Sequence, residues 1–187
     1  RYIMDNKWVV NIIHRPGLSP EYAEQALGKG KGVRDESLDI FRFQQDTAHK
    51  YGLKTTIQIT YASLFSDVII ELAREEHEKY GDEIGLSLLG LPCPEFKEKY
   101  KTEDFCIWMF DEKRKEEIVD DVFGKFYDKF GFYPESTSSY FLDAYTINYI
   151  KKKYPSVKCA VATCWEEGPK AYHTCNNSWY TFMDGGP

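Results

Sequence analysis

Short apolar runs alternate with helix-like segments along this chain, and that alternation restricts its fold more than any other feature. Residues 8–14 form an almost unbroken apolar run, residues 53–60 alternate Thr and Ile, and residues 83–89, 132–133 and 157–163 give three more. Strands that alternate with helices pair in parallel, and their carboxyl ends then lie along one edge, where α/β proteins build their sites. Here the runs hand over to His14-Arg15-Pro16, Thr60-Tyr61, Pro92-Cys93-Pro94, Glu135-Ser136 and Cys164-Trp165-Glu166-Glu167.

The intervening segments carry helix signals. Leu38, Phe41, Gln45 and Ala48 fall at helical spacing behind a cap at Asp35 or Ser37, and Gly52 marks the stop. Ser66-Asp67 opens a second helix that ends at Tyr80-Gly81. Residues 92–100 read as a loop or short helix, and 105–110 as a strand or a helix start. Residues 111–130 place Ile118, Val122, Phe126 and Phe130 on one face before Gly131, which predicts a long amphipathic helix. A further helix is expected over 137–154, stopped by Pro155. His49 and His77 sit among charged neighbours in these helices and read as surface residues.

A chain of 187 residues is expected to form one domain. Its net charge of −6 and lack of a basic stripe argue against a nucleic-acid partner, because that affinity rests on neutralising phosphates. No run approaches the roughly 18–20 apolar residues of a membrane span. A chain that begins at Arg1 can be a processed or excised piece, so export stays open. Five cysteines without a CxxC pair do not make a zinc ribbon, and Cys159 reads as a buried core thiol. Aromatic residues reach 16%, which suits sugar contact as well as a ring-rich core. Gly28-Lys29-Gly30-Lys31-Gly32 lacks the spacing of a phosphate loop, and the GxSxG pattern of a serine nucleophile is missing.

Three passages carry a resemblance. His14-Arg15-Pro16 resembles the His-x-Pro that closes the first strand in the glycosidase branch of the glycoside hydrolase/deacetylase superfamily. Tyr133-Pro134-Glu135 is similar to the aromatic-Pro-Glu at a strand end in that branch, and Glu83-Ile84-Gly85-Leu86-Ser87 looks like the "EIGLH" strand of the deacetylases. The motifs are closest to a bacterial branch and cover residues 8–165. The resemblance implies an α/β fold of the distorted seven-stranded (β/α) barrel type. At this length the barrel is expected to be incomplete, since a closed one needs roughly 200 residues or more. It also implies a carbohydrate partner. The deacetylase metal set is not matched: His14-Arg15 replaces paired aspartates, and Ser87 stands at the strand-three His position. No metal or cofactor is expected, and deacetylation would need non-standard ligands.

Glycoside hydrolysis requires two carboxyl groups, one to protonate the leaving oxygen and one to attack or to activate water. Glu135 is the first candidate, with Glu166, Glu167 or Asp184 as its partner. The plain alternative for Glu135 is a helix cap or an ion pair with a surface lysine. His14 could hold a sugar hydroxyl or a metal, Arg15 an acidic sugar, and Tyr61 and Trp165 could stack on a ring. Each also has a structural reading, as a hydrogen-bonding partner, a salt bridge or rim packing. The expected function is a carbohydrate-active, hydrolase-like barrel; the alternative is a noncatalytic barrel that binds glycan or protein.

Overall fold

A computed structural model describes residues 12–14, 35–88, 91, 93–102, 104, 106–139 and 142–162. The elements run β1 (Ile12–His14), α1 (Asp35–Lys50), β2 (Thr55–Thr60), a 3₁₀ turn (Ala62–Phe65) and α2 (Asp67–Tyr80). They continue with β3 (Glu83–Ser87), α3 (Pro94–Tyr100), a second 3₁₀ turn (Ile107–Met109) and α4 (Glu112–Phe130). β4 (Ser136–Ser139), α5 (Ala144–Lys153) and β5 (Cys159–Ala162) complete the described chain.

The five strands form one all-parallel sheet in the order β1-β2-β3-β4-β5. Each crossover steps to the next neighbour in the same direction, so right-handed connections set the helices on a single face. This corrects the expected distorted seven-stranded barrel. The described residues supply five strands and five α-helices, fewer strands than that barrel has, and the result is an α/β half-barrel.

Helix ends follow local chemistry. The Ser66 side chain accepts from Ile69 N at the start of α2, and Asp111 does the same for Arg114 N at the start of α4. Gly81 and Gly131 close those helices at φ +73° and +78°, in the left-handed region that glycine adopts without Cβ strain. Their apolar faces meet the helix side of the sheet in one core, which includes Ile57, Ile59, Ile84, Leu86, Ile69, Leu72, Val119, Val122 and Phe126. On α4 the adjoining Asp120 and Asp121 reach in different directions. Asp121 accepts from the hydroxyls of Tyr61 at 2.9 Å and Tyr100 at 3.1 Å, and Asp120 from those of Tyr149 at 3.0 Å and Tyr154 at 2.8 Å. The helix is thereby fastened to α3 and the end of β2 on one side and to α5 on the other.

Two boundaries depart from expectation for one reason. Strand four is Ser136–Ser139 rather than residues 132–133, and α5 begins at Ala144 rather than 137. A run of four hydroxyl residues gives no apolar signal, yet all four are buried in the sheet.

The cap of α5 gives a pH-dependent prediction. Asp143 Oδ1 accepts from Thr146 N at 3.1 Å, Oδ2 from Thr146 Oγ1 at 2.8 Å, and Lys115 Nζ lies 3.2 Å away. Burial alone would raise this carboxyl, but the Thr146 bonds and Lys115 outweigh it and hold it below the usual range. Its contribution is therefore present above the unfolded value, about 3.9, and is lost as pH falls through the lower folded value. Asp143→Ala should cost about 1–2 kcal/mol in urea unfolding near neutral pH. That difference should shrink when the titration is repeated in acid.

Cys159 corrects another expectation: it is exposed on β5, which pairs only with β4 among the described residues. Cys93 and Cys106 are buried, and burial pushes the Cys93 thiol up to about 12. Pulsed iodoacetamide with peptide mapping should label Cys159 early and the other two only on unfolding. Equal labelling of Cys93 would show that the connection from β3 to α4 opens readily.

Candidate functional site

Parallel pairing brings the described strand ends to one edge, as the alternation requires, and three of the expected site residues, His14, Tyr61 and Glu135, are among the described ones. Glu135 does not lie at that edge. It precedes β4, at the amino end of the strand, and its side chain is 63% exposed. Its carboxylate pairs with Lys158 Nζ at 2.9 Å, and its carbonyl accepts from Lys158 N at 2.8 Å. This corrects the expected place of Glu135 at a carboxyl strand end, and the ion pair with a surface lysine is what the geometry holds. Glu166, Glu167, Asp184, Arg15 and Trp165 lie outside the described residues.

Tyr61 follows β2 as expected, but it is buried at 1% exposure, edge-on to Phe65 and Phe96. Burial first, then the Asp121 carboxylate, raise its hydroxyl well above the ordinary tyrosine range. It packs and does not present a stacking face. His14 shares a sheet face with Ile57, through which it meets α1: its ring is edge-on to Phe41 and its Nδ1 bonds Gln45 Oε1. It joins strand to helix.

Across β2, β3 and β4 the opposite face of the sheet is polar. Thr56, Gln58 and Thr60 of β2 stand beside Glu83, Gly85 and Ser87 of β3, and Ser138 of β4 is in register with Ser87. Gln58 Nε2 donates to Ser136 Oγ at 2.9 Å, and Ser138 Oγ donates to Gln58 Oε1 at 3.1 Å, across the side-chain-free gap at Gly85. Thr60 and Ser63 share a hydroxyl bond of 2.8 Å, and Thr56 Oγ1 donates to Glu83. Such a face is made of hydroxyl and amide groups that are mutually satisfied.

No family model, curated protein or solved structure matches this chain.

A second polar constellation lies at the amino ends of β2 and β3, on the helix side. Asp82 is wholly buried. Its Oδ1 accepts from Thr55 N at 2.8 Å, and its Oδ2 from Gln45 Nε2 at 2.9 Å and His49 Nε2 at 2.8 Å. Glu76 lies on the other side of the His49 ring, its Oε2 3.5 Å from Nδ1. Burial raises the Glu76 carboxyl above the usual range; His49 opposes this, while Asp82 and Asp46 add to it. Tyr80 stacks on the His49 ring at 3.6 Å. One ligand-type atom from each of His49, Glu76 and Asp82 lies within 4.8 Å of the others. His49 is therefore not the surface residue that its charged neighbours suggested. Helical spacing held a usable signal: His49 follows Gln45 by four positions, and Glu76 follows Ile69 and Leu72 by seven and four.

Among the described residues no helix is long and apolar enough to cross a membrane.

Proposed function

We propose that this chain is a carbohydrate-binding α/β domain that takes a polyhydroxylated ligand at the carboxyl edge of its sheet. The observation that carries the reading is Trp108, 43% exposed in the connection that leaves the carboxyl end of β3. An indole face stacks on the C–H face of a sugar ring, and Met109 beside it is exposed as well. The acidic net charge favours a neutral or cationic glycan over a polyanion. Binding is preferred over hydrolysis because Glu135 is committed to Lys158 at the other edge.

A glycan array probed with the purified chain and with Trp108→Ala tests this. Wild type should bind a definable glycan class saturably, and the variant should lose roughly tenfold in affinity, the scale of one stacking contact. No binding, or equal binding by both proteins, would remove the reading. Release of reducing ends from the bound glycan would instead make the chain a hydrolase, with Glu166, Glu167 and Asp184 as the carboxylates to substitute next.

A further inference from the structure

We propose that His49 and Glu76, oriented by Asp82, bind a divalent transition-metal ion of the zinc type between α1 and α2. The carboxylate of Asp82 can only accept, so the His49 Nε2 that lies 2.8 Å from it carries the proton. The other ring nitrogen then turns a lone pair toward Glu76 Oε2, itself an acceptor. Both atoms are buried and lack a hydrogen-bond partner. The side chains of His49 and Glu76 are only 6% and 11% exposed, which leaves little bulk water to compensate them.

Two facing acceptors in a buried site are satisfied by a proton or by a metal ion between them, and metal uptake distinguishes the two. Their 3.5 Å separation is close to the roughly 3.4 Å between two ligands held about 2.1 Å from one tetrahedral ion. The stack of Tyr80 fixes the plane of the ring, and the Nε2–H bond to Asp82 fixes its tautomer. A carboxylate that holds a metal-bound histidine through its second nitrogen is the usual support for such a ligand. Asp82 is itself braced by Thr55 N and Gln45 Nε2, so the arrangement is set before an ion arrives. The 11% exposure of the Glu76 side chain is the side from which water would reach the ion to complete its coordination, and the ion would join the last turns of α1 and α2 to the start of β3.

Titration calorimetry with zinc sulfate near neutral pH, on wild type, Glu76→Gln and His49→Phe, reads the stoichiometry. Wild type should take up one equivalent more than either variant. At a hundredfold excess over the dissociation constant, zinc should raise its Tm by roughly 5–10 °C, a rise absent from the variants. Glu76→Gln places an amide N–H opposite Nδ1 and keeps the fold, while His49→Phe retains the stack on Tyr80. Cobalt in place of zinc reads the ligands on wild type alone: visible bands without a thiolate charge-transfer band agree with nitrogen and oxygen donors. Equal stoichiometry in all three proteins, no uptake by wild type, or a thiolate band would overturn the site; the last two need no variant to fold.

Discussion

Asp82→Ala is expected to destabilise the chain by about 4 kcal/mol, enough to remove much of the 5–15 kcal/mol typical of a domain. The substitution strips the acceptor from three donors at once: Thr55 N, Gln45 Nε2 and His49 Nε2. Asp82 is fully buried, so water does not replace it without opening the junction of α1, β2 and β3. Loss of one partner in a buried network costs more than the network contributes net, because the remaining groups stay desolvated. Urea unfolding followed by circular dichroism measures the difference. Asp82→Asn should fall between the two, since its carbonyl still accepts from Thr55 N while its amide faces other donors. A loss below about 1 kcal/mol for the alanine variant would mean that the three donors find other partners.

Gly85→Ala is expected to cost about 3 kcal/mol, although it adds a single methyl group. A Cβ at this position would lie 2.3 Å from Gln58 Nε2 and 2.5 Å from Ser136 Oγ. Both atoms belong to the buried pair of bonds that crosses β3, so neither moves away without breaking it. A second substitution supplies the control. In Gly85→Ala with Gln58→Ala the clash with the amide is gone, and the double variant should be less destabilised than the sum of the singles. Additive losses in a double-mutant cycle would show that the two positions do not interact.

The helices were largely legible in the sequence, because their limits are local chemistry. Ser66, Gly81, Asp111 and Gly131 act on the nearest turn, and the structure places them at the caps. Four strands were legible at their cores for a similar reason, since β1, β2, β3 and β5 fall within apolar runs. β4 was not: the hydroxyls of Ser136 and Ser138 are accommodated in the sheet by Gln58, two strands away, which bonds to both. That error carried Glu135 to the wrong edge, since a strand displaced along the sequence exchanges what precedes it for the residues beyond it. His49 was misjudged in the same way. Its burial is imposed by Asp82, Glu76 and Tyr80, residues that only the folded chain brings near. The strand count reflects a comparable limit, as strand–helix alternation fixes the direction of pairing more firmly than the number of strands.

The paired acids of α4 have a consequence for how the molecule yields under stress. Neighbouring helical positions point about 100° apart, so Asp120 and Asp121 anchor one rod to two different flanks. Neither flank can peel away alone without breaking two phenol–carboxylate bonds, which couples their opening to that of α4. Amide protons in the middle of α4 should therefore exchange with solvent only when the whole structure from β2 to α5 comes apart.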